Sequence, residues 1–227
     1  MTFDFPVVIE RTSKKQNTTI TIKPDQKVIV RASWFVSNNH IFKFVSEKEN
    51  WIKKHLSQQK SPPFFPKAVR NGSVIYYLGN PYKIHISPGE VTSFKLKGNF
   101  LVISRKENDD LRQPLKDYMK SLSKKLISDR VQDYAKRLGH YPRALFFKET
   151  TTRYGSCTAN GDLNFHWPLI SAPLFVIDYI VAHELCHLIV MDHSSSFWKR
   201  VAMLYPAYKQ ANRWLKQNGY RLLTSGK

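Results

Sequence analysis

The chain has 227 residues, of which 42% are hydrophobic, so it is long enough for one large domain or two small ones with buried cores. It contains no run of about 18 apolar residues, which argues against a membrane span, and Met1 to Pro6 lack the order of a secretory signal. Two cysteines, Cys157 and Cys186, are too few for a disulfide framework and favour a reducing, cytoplasmic compartment.

The charge of the chain is strongly positive. The 36 lysine and arginine residues against 17 acidic ones give a formal net charge of +19, and no acidic residue follows Asp192. A charge of this size suits a polyanionic partner, so DNA or RNA bound without sequence preference is one expectation. The alternative is a lysine-rich surface that only keeps the protein soluble. No membrane partner is expected, and the pattern does not specify an oligomeric state.

The N-terminal part is predicted to form mainly strands. Short β-branched runs favour strands at residues 6–10, 18–22, 27–32, 73–78, 82–86, 91–96 and 100–104. One predicted helix interrupts them from Asn39 to Leu56, with Ile41 and Trp51 on its apolar side. The proline-rich segment from Ser61 to Pro66 cannot continue that helix and is interpreted as a connector.

From Asp109 the hydrophobic pattern changes. Apolar residues recur mostly every three or four positions from Leu111 to Leu138, which predicts one long amphipathic helix that ends near Gly139. Short strands are predicted at residues 144–148 and 162–165, and helices at 172–191, 195–204 and 207–218. The sequence therefore predicts an α+β protein with a β-rich N-terminal domain, residues 1–107, and a second domain, residues 108–227.

The most informative segment is an HExxH motif, His183-Glu184-Leu185-Cys186-His187. The residues around it are apolar on nearly all sides, which predicts a buried helix. His183 and His187 are four positions apart, so they project from one face and can bind one metal ion. Burying three polar groups is costly unless a partner such as a divalent cation satisfies them. The alternative is a histidine pair that merely packs at a helix surface.

Few residues can supply a third ligand. Glu184 is the last glutamate, so a glutamate from a later helix is excluded, and His193 remains, with Asp192 as the weaker alternative. Continuous helix would rotate His193 by about 240° from His187, so the helix must end between them. Because Asp192 tolerates a left-handed backbone, the turn is predicted at Met191-Asp192, and Ser194 and Ser195 can cap the next helix.

Three histidine nitrogens leave one coordination position open, which is the catalytic rather than the structural pattern. The predicted site is one zinc ion bound by His183, His187 and His193, with Glu184 as the general base for the attacking water. The expected activity is peptide-bond hydrolysis. The alternative from another class is a basic nucleic-acid-binding protein whose metal only supports the fold. An intact Glu184 favours the enzyme, because a structural site needs no general base.

The assembled motifs resemble the YgjP-like metallopeptidases, a zincin family related to the SprT-like and WLM-type proteases. The resemblance rests on Arg153-Tyr154-Gly155-Ser156-Cys157, on Asp178-Tyr179 before the HExxH motif, and on His193 followed by Phe197-Trp198. It covers residues 145–218 well and the early helix loosely. The family often has tryptophan in place of Tyr154 and asparagine in place of Asp192. The resemblance implies a zincin-like C-terminal domain with its metal on a buried helix, zinc-dependent peptidase activity and, by analogy with relatives that cleave DNA-crosslinked proteins, action near nucleic acid.

Weaker candidates surround the proposed ligands. Tyr154, His166 or Tyr179 can donate a hydrogen bond to the tetrahedral intermediate, the alternative for each being a core or rim residue. Asp178 can orient a ligand imidazole, the alternative being a surface acid. Phe197 and Trp198 are expected to pack beneath the site.

Overall fold

The computed structural model describes residues 3–13, 17–23, 27–59, 63–107 and 109–223. The chain divides into two compact units, Met1–Pro62 and Pro63–Lys227. Both units contain strands and helices, so the expected mixed α+β class is confirmed. In the described ranges, no helix is both long and apolar enough to span a membrane. Ser61 and Pro62, the start of the expected connector, lie outside those ranges.

The first unit is a small sheet with two helices. Its strands, in the order β1-β3-β2, are β1 (Val7–Thr12), β2 (Thr19–Ile22) and β3 (Val28–Ser33), with β1 parallel and β2 antiparallel to β3. Helices α1 (Asn38–Glu47) and α2 (Glu49–Gln59) replace the single predicted helix, because the backbone leaves helical dihedrals at Lys48 (φ −103°, ψ 5°). Apolar side chains of β3 and both helices form the core: Val28, Val30, Ile41, Val45 and Ile52.

The second unit contains two sheets. One has the order β4-β5-β7-β6 and consists of β4 (Val74–Tyr77), β5 (Asn80–Pro88), β6 (Ser93–Lys97) and β7 (Phe100–Arg105). The other has the order β8-β10-β9 and consists of β8 (Ala144–Lys148), β9 (Gly155–Cys157) and β10 (Asp162–His166). Strand β9, which the sequence pattern did not predict, pairs antiparallel with β10 at the edge of that sheet.

Four α-helices of this unit lie within the described residues: α3 (Arg112–Leu138), α4 (Leu174–Cys186), α5 (Ser195–Leu204) and α6 (Tyr208–Leu223). Helix α3 is the long helix expected from the sequence, and Gly139 ends it in the left-handed conformation (φ 73°). A short 3-10 helix, Trp167–Ser171, joins β10 to the segment before α4.

Helix α3 contacts both cores of the second unit. Leu115 and Met119, near its start, are buried with side chains of the β4–β7 sheet, whereas Ile127 and Val131, farther along, are buried with α4 and β10. Each fully buried aliphatic side chain contributes about 1.5–3 kcal/mol. The strands of the β4–β7 sheet therefore share buried surface with α3. The expected domain boundary between residues 107 and 108 falls inside this compact unit, whereas the two compact units are divided between Pro62 and Pro63.

Candidate metal centre

Helix α4 carries the HExxH motif through the core of the second unit. It begins after Pro173, and side chains on all its sides are buried, among them Val176, Ile177, Val181, Ala182 and Leu185. It packs against α3, α5, α6 and β9. The prediction of a buried helix is therefore confirmed, because a helix that is apolar on every side is stable only when surrounded.

The helix is shorter at its C-terminal end than the sequence pattern predicted. It ends at Cys186, and the backbone then makes three-residue turns in which the amides of Leu188 and Ile189 donate to the carbonyls of Leu185 and Cys186 at 3.0 and 3.1 Å. The expected continuation to Met191 is wrong. The chain leaves the helix at His187, the last residue of the HExxH motif. The bend that leads to His193 is therefore spread over several residues.

The bend before His193 needs no left-handed residue. Among the described non-glycine residues only Leu78 has a positive φ, so the conformation expected for Asp192 is wrong. Instead, Asp192 Oδ1 accepts a hydrogen bond from the Ser194 amide at 3.2 Å, a local turn typical of aspartate. Ser194 occupies the N-cap position of α5, although its side chain makes no capping hydrogen bond.

The bend brings His193 next to His183 and His187. One ligand nitrogen from each of the three side chains lies within 4.8 Å of the others, and the Nε2 atoms of His183 and His193 are 3.2 Å apart. The three pairs of ring centroids are 4.8 to 5.1 Å apart. Asp192 is not part of this group.

Aromatic packing and one hydrogen bond orient these rings. The Phe197 ring stacks on His187 at 4.4 Å between centroids and contacts His183 and His193 edge-on at 4.9 and 4.8 Å, as expected for a residue beneath the site. His187 Nδ1 donates to the Val190 carbonyl at 3.0 Å. Because a carbonyl only accepts, the proton of a neutral His187 is on Nδ1 and its Nε2 lone pair is free for a ligand bond.

The three rings suit a divalent metal ion. Burial, and then the neighbouring His187 and His193, lower the pKa of His183 to about 3. Burial also lowers the pKa of His187. His183 Nδ1 is buried with no hydrogen-bond partner among the described residues. Neutral imidazoles with converging lone pairs form the donor set that zinc and similar cations bind.

Glu184 lies beside this group, held against the backbone of β9. Its side chain is only 5% exposed. A Cβ placed on Gly155 would lie 2.7 Å from both Glu184 Cγ and Oε1, so the absence of a side chain at residue 155 makes room for the carboxylate. Burial raises the pKa of Glu184 to about 8, and the positive charge of Arg153 acts in the opposite direction. The motif Arg153-Tyr154-Gly155-Ser156-Cys157 contains this glycine without indicating its contact with Glu184, although a strand glycine often marks a close approach.

Two of the weaker candidates have structural partners instead. The Thr150 amide donates to His166 Nδ1 at 3.0 Å, and His166 Nε2 donates to the Leu222 carbonyl at 3.1 Å, so neither ring nitrogen is free to bind a substrate. Asp178 accepts two hydrogen bonds from the Arg130 guanidinium of α3, at 2.6 and 2.9 Å. It therefore joins two helices and does not orient an imidazole.

The two tyrosine candidates lie next to the site. The Tyr179 ring meets the His183 ring edge-on, with centroids 5.8 Å apart. Tyr154 packs against α6, where a Cβ on Gly219 would overlap the tyrosine hydroxyl and lie 2.7 Å from Cζ. Burial raises the pKa of each phenol to about 12, so both are protonated donors at neutral pH.

A cleft of about 440 Å³ opens beside His183 and Glu184. Strand β9 with the residues before it, α4 and α6 form its walls: Thr152, Arg153, Tyr154, Gly155, Tyr179, Ile180, Asn212, Leu215 and Lys216. The residues from α6 were not expected from the sequence. No local signal marks them, because polar positions on an amphipathic helix are ordinarily solvent-facing.

Three features together are those of a metal-dependent peptidase: the mixed α+β fold, the three-histidine group and the adjoining buried glutamate. The chain belongs to the YgjP-like family, whose metallopeptidase-domain model matches residues 16–218, so the resemblance seen in the motifs is confirmed. It is also similar to a solved structure, the metallopeptidase zymogen abylysin of Pyrococcus abyssi, at 22% identity and a TM-score of 0.37, over 40% of this chain and 92% of that one. No curated protein matches the chain.

Proposed function

We propose that the protein is a zinc-dependent endopeptidase in which His183, His187 and His193 hold one zinc ion and Glu184 is the general base. The observation that carries the proposal is the convergence of three imidazoles, one ligand nitrogen of each within 4.8 Å of the others, next to a buried carboxylate. A zinc ion bound there would polarise the scissile carbonyl and lower the pKa of a water molecule to about 7. The proposal also includes a zincin-like arrangement with the metal on buried helix α4, after a β-rich N-terminal region that ends near residue 107.

Glu184 would move the protons of the reaction. Its carboxylate accepts a proton from the attacking water and passes it to the leaving amine, as general bases of this kind do. Contact with Gly155 limits the positions that the carboxylate can adopt. Burial raises the pKa of Glu184 to about 8, whereas the positive charge of Arg153 favours the ionised form, as a cation held by the three histidines would. A carboxylate held in position beside the attacking water is suited to this proton transfer.

Strand β9 offers a place for the substrate backbone. It lies at the edge of the β8-β10-β9 sheet, and its inner edge pairs with β10, Gly155 opposite Phe165. An extended peptide can add to such an edge through main-chain hydrogen bonds. Because Gly155 touches Glu184, a peptide paired with β9 would run close to the general base.

Gly155→Ala is expected to lower peptide hydrolysis by about 100-fold, because the new methyl group displaces the Glu184 carboxylate and a displacement of roughly 1 Å costs that much. Metal content should stay unchanged. The matched control is Ser156→Ala, at the next position of β9 and so on its other face, which should keep most of the activity. The measurements are the hydrolysis rate and metal content of both variants. Equal rates in the two alanine variants would show that contact with Gly155 does not position Glu184.

The test of the proposed function combines metal analysis with hydrolysis. The purified protein should contain about one zinc per chain and degrade an unfolded protein substrate. Chelation should abolish this activity and zinc should restore it, because only the bound metal is removed. A protein that binds zinc but hydrolyses no unfolded substrate would contradict the proposal.

The alternative function is binding of DNA or RNA, with a metal that only supports the fold. The net charge of +19 favours such a partner and is compatible with a peptidase that acts near nucleic acid. If this alternative is correct, the purified protein contains zinc and is stabilised by it against thermal unfolding, but it does not hydrolyse the unfolded substrate. Binding through phosphates releases counterions, so its affinity would fall steeply between low and physiological salt.

A further inference from the structure

The cleft beside Glu184 is lined by more basic than acidic side chains. Of the described residues that line it, Glu184 alone is acidic, whereas Arg153 and Lys216 are basic. Neither cation forms an ion pair with a described residue. Arg130 and Arg143 of the same unit, by contrast, bind Asp178 and Asp162. Although the charge of Arg153 also acts on Glu184, no carboxylate of the described residues is bound to the guanidinium or the ammonium group, and both are available to a ligand.

One face of α6 supplies a wall of the cleft. Leu215 and Lys216 follow Asn212 by three and four positions, so both lie on the same side of that helix as Asn212. Gly219, one turn farther on, lets the helix approach Tyr154 closely. Packing of α6 against Tyr154 thus fixes the positions of the side chains that line the cleft. The amide of Asn212 adds a hydrogen-bond donor next to Lys216.

The lining also has an apolar part. Tyr179, Ile180 and Leu215 line the cleft with at most 9% of each side chain exposed, while Arg153 and Lys216 are exposed. A ligand group that matches both parts has an apolar stem and an anionic end. Among protein side chains, glutamate has this form and aspartate has a shorter version of it. Lysine and arginine have the stem with the opposite charge.

We infer that this cleft accepts an acidic side chain of the substrate, glutamate in preference to glutamine, and that Arg153 and Lys216 determine this selectivity. The inference rests on the proposed peptidase function and adds a substrate class to it. Exposed charge pairs typically change binding by about twofold to fivefold each, so two cations give roughly a tenfold preference for glutamate over glutamine. The preference should weaken with salt, because exposed charges are screened.

The first experiment maps cleavage sites in a peptide library made from a digested cell extract. The wild-type enzyme should show glutamate enriched over glutamine at one position next to the cleaved bond, by about tenfold. Lys216→Glu should lose or invert this preference. Lys124→Glu is the matched control, because it makes the same change of charge at an exposed position of α3 that does not line the cleft. Loss of the preference in both variants would assign it to net charge and overturn the inference, as would its absence from the wild type.

The second experiment measures binding without hydrolysis. The Glu184→Gln variant is titrated with two fluorescein-labelled peptides of alanine and serine that differ only in a central glutamate or glutamine. Tighter binding of the glutamate peptide, lost when Lys216→Glu is added and kept when Lys124→Glu is added, supports the inference even if the wild type hydrolyses nothing. Equal affinity for both peptides contradicts it, even if the wild type is an active peptidase. The failure of the inference and the failure of the proposed function are thus distinguishable.

Discussion

Glu184→Gln is expected to lower the rate of peptide hydrolysis by about 10²–10⁴-fold, the range that general-base catalysis typically contributes. The amide has nearly the volume of the carboxylate but cannot accept the proton of the attacking water. It leaves the three imidazoles in place, so zinc content should stay close to that of the wild type. The melting temperature should not fall, because burial disfavours the charged form of Glu184 and a neutral side chain avoids that cost.

The matched control is Glu90→Gln, which makes the same change at an exposed residue of the second unit and should leave hydrolysis unaltered. The measurements are the hydrolysis rate on an unfolded protein, zinc by mass spectrometry and thermal unfolding. An active Glu184→Gln enzyme with full zinc would mean that another group takes the proton, and the proposed mechanism would have to be abandoned.

His193→Ala is expected to weaken zinc binding by well over tenfold, because even a residue that only orients a ligand can matter by about that factor. Asp192→Asn should leave the affinity nearly unchanged. The carboxylate of Asp192 accepts a hydrogen bond from the Ser194 amide, and an asparagine side-chain carbonyl can accept the same bond. Comparing the two neighbouring substitutions therefore distinguishes the loss of a metal ligand from a change in the turn that positions it.

Zinc affinity is measured by competition with a chromophoric chelator, and activity is followed in parallel. His193→Ala should lose both, whereas Asp192→Asn should retain both. His193 is exposed, so its removal costs little core packing, and a loss of zinc would not reflect unfolding. If Asp192→Asn lost the metal and His193→Ala kept it, the third ligand would be Asp192.

Local sequence patterns were sufficient to predict the helices whose structure depends mainly on their own residues. The change of hydrophobic period near Asp109 predicted the long helix α3, and the apolar residues around His183 predicted that α4 is buried. Strand β9, only three residues long, gave no periodic signal, and its pairing with β10 makes it a strand. The early helix was predicted as one element because no proline or glycine marks the break at Lys48.

The sequence by itself determined the spacing of the candidate site residues along the chain. His183, Glu184 and His187 are close together on any helix that contains them, and the absence of later glutamates directed attention to His193. Only the tertiary structure decided where the helix ends, that Gly155 contacts Glu184, and that Asp178 binds Arg130, 48 positions away. It also decided that Lys216 lines the cleft. These features depend on contacts between distant segments, which packing creates and which no local pattern of residues encodes.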